Sequence, residues 1–540
     1  MLMKRMAASV VAGAVCLGSA GLAQAQRDIL DAAAPFEVVQ SPVKIDTREH
    51  VSPYSTPLAV SRQSLQGLEQ FEQVTMVGFP ISDGELVDLD LRRVRVFDAQ
   101  AEFVSGNNPA QSAAELGRVS RSLIYHGEVA GAPGSDAYLA ITPTGTNGFI
   151  RIEGNTHVIS SGKHSDAAQP RVFNLTTLPE GVIDWQEFQC SAIDPATMRD
   201  LDETEITPER VAEVMERLPL NPNVDAPSTF ARGDDGEPED ECRIINVAIE
   251  TDAEFGSEFG GDDPQQALLD YVETLVGAVS FIYRRNVNIE FNIIFVRDWV
   301  GQPTDADPWE GLSTVDVLFE LRDEWTPTSA PTGLAWQGVH LFSTRNLGGG
   351  VAFLRAICNL DIAHAVSADM FATFPTDGDG NPVDNNPGNW DVVVTAHEWG
   401  HNLGAPHTHG LAPVVDGCGL GSCAGAENGT IMSYCHLCPG GIGNIELNFA
   451  DRILNEGIRP YIEGGAPCNL VQPSDACDAP PPAPCPADIN GDGVLNGSDF
   501  TAWVVAYNAG DLRADLNNDR ILTPADFNAW LAAFRVGCDF

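Results

Sequence analysis

The sequence predicts a multidomain protein whose central part is a mixed α/β (α+β) domain, preceded by a β-rich region and followed by a small α-helical module. Three observations carry this. Residues 242–343 alternate strand-like and helix-like patterns. Residues 94–152 hold short alternating stretches separated by turn residues. Residues 488–530 contain a motif that recurs after 27 positions. At 540 residues the chain has room for about three domains.

In the central part, Cys242–Asp252 reads as a strand. Pro264–Arg285 reads as a long helix, because Leu268, Leu269, Val272, Leu275 and Val276 recur at three- and four-residue steps. Val287–Trp299 alternates like a strand, and Gly338–Ser343 gives another.

The chemistry is concentrated at residues 397–407, His-Glu-Trp-Gly-His-Asn-Leu-Gly-Ala-Pro-His. His397 and His401 stand four apart, so on a helix they project from one face. Glu398 lies next to the first imidazole, within reach of a water on a metal without ligating the metal itself. Gly404 lets the chain leave the helix in a conformation that a Cβ resists. That turn returns His407 as a third ligand. Three neutral imidazoles leave a fourth zinc position open, as in a catalytic site. Zinc lowers the pKa of its water from about 16 to about 7, and Glu398 is placed to take the proton and pass it on.

This long motif, with Thr430-Ile-Met432-Ser-Tyr434 after it, resembles the metzincin peptidases and, among them, the reprolysin (adamalysin) branch. The resemblance covers about residues 240–465. It implies a zinc endopeptidase built on a twisted mixed sheet and a zinc helix, with Met432 in the Met-turn beneath the ligands. It also implies that Gly348–Cys358 is an edge strand pairing with an extended polypeptide substrate near Gly349–Phe353. Tyr434 is a candidate for hydrogen bonding in the transition state. Reprolysins usually carry Asp after the third His, whereas Thr408 and His409 follow here. The Gly-x-x-His offset selects His407 over His409 as the ligand, and His364 and His436 read as structural.

The first 25 residues read as a secretory signal: Lys4 and Arg5, an apolar run from Met6 to Leu17, then Ala23-Gln-Ala25 before the cleavage point. No later run is long and apolar enough to span a membrane. The net charge of −46 argues against nucleic acid as a partner and suits an exported protein with calcium sites. Of 12 cysteines, Cys16 leaves with the signal, and an exported chain should hold most of the others in disulfides. Cys418, Cys423, Cys435 and Cys438 are expected to pair as disulfides around the site rather than bind a second zinc. Two readings of Cys190 stand: a latency switch that occupies the open zinc position, as in related peptidases, or a disulfide to Cys242 or Cys358.

Residues 26–225 alternate like strands at Val94–Phe97, Ser122–Val129, Ala137–Thr142 and Phe149–Ile152. The region resembles a reprolysin pro-domain; a separate binding module is the other reading. Residues 226–241 form a polar linker, 242–465 the peptidase-like domain and 466–484 a proline-rich spacer. The acidic loop Asp377–Asn386 reads as solvated, with calcium binding as the alternative.

Residues 485–540 carry two loops of the EF-hand kind. Asp488, Asn490, Asp492, Val494, Asn496 and Asp499 occupy positions 1, 3, 5, 7, 9 and 12 of the first. Asp515, Asn517, Asp519, Ile521, Thr523 and Asp526 do so in the second, with Val494 and Ile521 offering backbone carbonyls. Phe500 and Trp503 recur as Phe527 and Trp530. The pair resembles a type I dockerin, which implies Ca²⁺ and a cohesin-like or cell-surface partner. The expectation is therefore a secreted zinc endopeptidase tethered through a calcium module. The rival is a surface-anchored scaffold protein with an inactive peptidase fold, against which the intact Glu398 argues.

Overall fold

The computed structural model describes residues 36–48, 54–65, 68, 71–108, 111–112, 122–165, 169–175, 189–193, 242–373, 390–470, 487, 495, 497–509, 514, 516 and 522–536. The expected signal segment, the 226–241 linker, the loop 377–386 and most of the proline-rich spacer lie outside them.

The central domain is built as its periodicities dictate. The expected strands are found at Arg243–Thr251, Ile289–Asp298 and Gly338–Phe342, joined by Gly349–Phe353 and His364–Ser367. They form the middle of an eight-stranded mixed sheet. Its order runs Gln189–Ile193, Gly349–Phe353, His364–Ser367, Gly338–Phe342, Arg243–Thr251, Ile289–Asp298, Phe97–Ser105, Gln111–Ser112. The parallel neighbours need crossovers, and Pro264–Val287 supplies the helix between Arg243–Thr251 and Ile289–Asp298. Asp263 caps that helix, its carboxylate accepting from the Gln266 N–H, and Pro264 stands in the first turn.

Strands from before residue 194 thus close both ends of this sheet. Phe97–Ser105 pairs parallel with Ile289–Asp298, and Gln189–Ile193 pairs parallel with Gly349–Phe353. Gly349–Phe353 is therefore not outermost in this fold, although the sequence marks it as an edge. Most of the remaining N-terminal strands form a ten-stranded, largely antiparallel sheet. Leu123–Val129, Asp136–Thr142 and Gly145–Ile152 match the expected positions. The stretch Val94–Phe97 is not one strand: Glu85–Val94 ends there and Phe97–Ser105 begins.

The helix Pro264–Val287 lies between the two sheets and is buried at every residue from Ala267 to Tyr283. Its sequence is apolar nearly all round, which is what a helix covered on every side requires. One apolar core unites it with Val96, Phe103, Ile124, Tyr138 and Phe149 from the N-terminal side and with Trp390, Trp399 and Met432 from the other.

Among the described residues, three disulfides join Cys358 to Cys468, Cys418 to Cys435 and Cys423 to Cys438. The last two bear out the pairing expected of that cysteine cluster. The first removes Cys358 as a partner for Cys190. Cys242 is also ruled out: Cys190 lies opposite Gly350, which the ladder places level with Thr251. Cys242 stands four strands away and at the other end of Arg243–Thr251, far beyond the ~7 Å limit for a disulfide. No helix among the described residues is long and apolar enough to cross a membrane.

At the C-terminal end, helices Gly497–Ala509 and Pro524–Val536 pack Trp503 and Trp530 against each other's module. Each indole N–H donates to a backbone carbonyl, Trp503 to Ala514 (3.2 Å) and Trp530 to Ala487 (3.0 Å).

Candidate metal centre

The helix Trp390–Asn402 carries the first half of the motif and is buried throughout. It ends as Gly404 predicts. Gly404 has φ +98°, its N–H donates to His401 O, and the Ala405 N–H reaches back to Gly400 O. These two bonds are a Schellman termination, and they turn the chain so that His407 faces the helix again.

The three imidazoles converge. Their ligand nitrogens lie within 4.8 Å of one another, and His401 Nε2 is 3.1 Å from His407 Nε2. A tetrahedral zinc with bonds of about 2.0–2.1 Å sets its nitrogens roughly 3.3 Å apart, so the spacing fits. The tautomers fit too. His397 Nδ1 lies 2.7 Å from Ile431 O and His401 Nδ1 lies 2.8 Å from Ala405 O, so each Nδ1–H donates outward and leaves Nε2 with its lone pair inward. His397 Nε2 is buried with no hydrogen-bond partner among the described residues, an arrangement that a metal bond would satisfy. Burial, with the neighbouring imidazoles, holds His397 and His407 well below the usual imidazole range, and burial brings His401 to about 4. All three are therefore neutral near pH 7, as ligands must be.

Glu398 is fully buried beside this cluster. It is accommodated by a residue the sequence analysis did not single out. Gly350 stands against the carboxylate so closely that a Cβ there would lie 2.2 Å from Oε1 and 2.6 Å from Cδ. Glycine at 350 thus lets strand Gly349–Phe353 run directly over the acid. The helix is tied to that strand by Asn402, whose Nδ2 donates to Phe353 O (2.8 Å) and His364 O (3.1 Å).

Met432 lies against the helix, its sulfur 2.6 Å from where a Cβ on Gly400 would be. Tyr434 places its hydroxyl 3.3 Å from His407 Nε2. His409 is not in the triad; its ring stacks on His407 with centroids 5.0 Å apart. His364 is structural, with Nε2 3.1 Å from Trp325 O, and His436 packs against Trp390. Asp416 comes near Cys418 and Cys435, but those sulfurs are bonded to each other and offer no thiolate.

Two further carboxylates went unremarked in the sequence. Asp391, in the first turn of the zinc-motif helix, accepts from Tyr271 OH and from the N–H groups of Phe371 and Ala372 (both 3.0 Å). Asp369 accepts from the Gly348 and Gly349 N–H groups at 2.9 and 2.6 Å, fixing the turn into the strand that covers Glu398. Neither carries a sequence signal, since each is an isolated Asp whose partners are distant in the chain.

Of the twelve expected calcium positions, Asp499, Thr523 and Asp526 are described. Asp488, Asn490, Asp492, Val494, Asn496, Asp515, Asn517, Asp519 and Ile521 lie outside the described residues. Asp499 and Asp526 are buried in the first turns of their helices, and Asp526 accepts from the Thr523 N–H at 2.7 Å, a capping arrangement.

A search of curated proteins finds no match. Among solved structures, the chain is similar to metalloproteinase-II from Bacteroides fragilis at 11% identity and a TM-score of 0.33, covering 69% of this chain and 90% of that one. A structure of a chaperone–substrate complex is similar at 16% identity and a TM-score of 0.22, over 31% of this chain and 24% of that one. The family model Reprolysin_5, metallo-peptidase family M12, matches residues 241–441. That matched segment contains the three imidazoles, Glu398 and Met432.

Proposed function

We propose that the protein is a secreted zinc-dependent endopeptidase, with His397, His401 and His407 as metal ligands and Glu398 as general base and acid. The convergence of three neutral imidazoles beside one buried carboxylate carries this reading. Zinc held there supplies Lewis acidity, which brings water toward ionisation near pH 7 and polarises a carbonyl. Glu398 accepts the proton of the attacking water on a carboxylate oxygen and delivers it to the leaving amine. The outward hydrogen bonds of His397 and His401 keep their rings oriented while this happens. The substrate is a polypeptide extended along Gly349–Phe353, held by backbone hydrogen bonds that tolerate many sequences.

A Glu398→Ala variant should retain zinc and lose at least about 10²-fold in peptide cleavage. Unchanged proteolysis refutes the mechanism. A wild type that binds zinc yet cleaves nothing in a broad peptide library favours the inactive scaffold instead.

The uncleaved chain is latent in this reading. Gln189–Ile193 runs along the backbone edge that a substrate would use, and Cys190 is level with Gly350, beside Glu398. A Cys190→Ser chain as latent as wild type refutes a thiolate switch while leaving strand occupancy standing.

The C-terminal module binds two calcium ions through the twelve loop positions and docks to a cohesin-like or cell-surface partner. The repeated loop chemistry supports this, together with paired helices closed over Trp503 and Trp530. Chelation in the full-length protein should shift the emission of these indoles, and helices that stay packed in chelator refute it.

A further inference from the structure

The N-terminal unit meets the helix Pro264–Val287 chiefly along one stripe, and every position of the stripe is answered by a specific partner. Asp270 accepts from the Thr144 N–H at 3.1 Å and from Thr144 Oγ1 at 2.7 Å. Four residues on, Thr274 O accepts from Tyr138 OH at 2.5 Å. Gly277 O meets His126 Nε2 at 3.2 Å, and a Cβ on Gly277 would lie 2.8 Å from the Tyr138 hydroxyl. Phe281 packs against His126 and Phe149 with ring centroids 5.1 and 5.6 Å away. Arg285 ends the stripe on Asp136. Steps of four, three, four and four residues place these on one helical face.

The same unit adds Phe97–Ser105 to the sheet beside Ile289–Asp298, where the Ile293 N–H donates to Val96 O at 2.6 Å and Gln265 Nε2 donates to Ser105 Oγ at 2.9 Å. Without it, Phe281 would lose these ring contacts and the backbone edge of Ile289–Asp298 would be left unpaired. The strand Gln189–Ile193 is attached differently, by one five-residue ladder at the opposite end of the sheet.

We propose that residues 36–175 form a permanent, non-covalent subunit of the peptidase domain rather than a segment shed on maturation. Cutting the chain within 176–188 and within 226–241 releases only the peptide that contains that strand. The inference does not rest on the proposed catalytic activity. Residues 36–175 contain no cysteine, so no disulfide can hold them in place.

The test uses the full-length chain with two engineered site-specific protease sequences, one within 176–188 and one within 226–241, cut after folding. Gel filtration and native mass spectrometry should find the 36–175 fragment bound one-to-one to the fragment that begins near residue 242, with the intervening peptide gone. Separation of the two large fragments, or precipitation of the catalytic one on cleavage, overturns the proposal. Thr144→Val removes a hydrogen bond to a buried carboxylate and should speed dissociation of the nicked complex about tenfold. Lys163→Ala, which breaks only an exposed pair with Glu258, should leave it unchanged. The reverse pattern overturns the assignment of the stripe.

Discussion

Gly350→Ala separates the fold from the chemistry. The added Cβ would stand 2.2 Å from Glu398 Oε1, 2.6 Å from Cδ and 2.8 Å from Cγ, whereas real Cβ contacts stay beyond 3.0 Å. The carboxylate must therefore move by about 1 Å, and because Cγ is also struck the movement has to begin near the root of the side chain. The three nearest atoms all belong to one side chain, so the structural penalty is about that of an off-rotamer side chain, ~1 kcal/mol. Misplacing a reacting group by about 1 Å costs roughly 10²-fold in rate. We expect kcat on a fluorogenic peptide to fall by about that factor, with zinc content unchanged and little change in the unfolding midpoint. Gly260→Ala, where the new Cβ meets open space, is the control and should match wild type. A folded, zinc-loaded Gly350→Ala enzyme whose kcat lies within about threefold of wild type would refute the placement of Glu398 as the base.

Three more outcomes follow from the structure. Gly404→Ala forces a Cβ into a backbone at φ +98° and within 2.9 Å of Gly457 O, so it should destabilise the fold by about 1–3 kcal/mol and reduce zinc stoichiometry, read by calorimetry and metal analysis. Burial raises the Asp270 carboxyl to about 6, against the hydrogen bonds from Thr144 and Gln266 that pull it down. A raised acid contributes stability that is complete below its unfolded pKa and lost as pH rises through about 6. Wild type should therefore lose about 3 kcal/mol relative to Asp270→Asn between pH 4 and pH 7, and parallel denaturation curves across that window would contradict this. Asp369→Ala leaves the Gly348 and Gly349 N–H groups without their shared acceptor; it should raise KM more than it lowers kcat, since it loosens the strand proposed to hold substrate while Glu398 stays on its own helix.

The sequence made the local part of the site legible and left the distant part unreadable. His397, His401, Gly404 and His407 are fixed by helix geometry and one left-handed turn, both short-range effects that spacing encodes. Gly350 sits in a run of three glycines, and nothing in that run distinguishes the one that faces Glu398 from its neighbours. The helix Pro264–Val287 was evident from its period. Its burial on all sides was not, because the cover comes from strands more than a hundred residues earlier. Gln189–Ile193 has no period long enough to announce a strand and exists only as a ladder on Gly349–Phe353. The partner of Cys358 lies 110 residues away, a separation over which spacing carries no information. Val94–Phe97 shows the opposite failure: its alternation suggested one strand, but the chain passes there from one sheet to the other.

Both ends of the eight-stranded sheet are covered by N-terminal strands, and the two covers differ in a way that follows from what each protects. Open sheet edges invite pairing with other chains, and the hazard grows with length and apolar character. Ile289–Asp298 is ten residues long and rich in Ile, Phe and Val, so exposing it would create an aggregation site. The unit that supplies its neighbour is anchored to the helix Pro264–Val287 by a buried stripe of polar and aromatic contacts. Gly349–Phe353 is half that length and opens with two glycines, and its buried acceptors and donors are held from within the domain by Asn402 and Asp369. It can lose its neighbour without losing its shape. On the proposed function, the durable cover would therefore lie where exposure is damaging, and the strippable one over Glu398, where an extended polypeptide would have to enter.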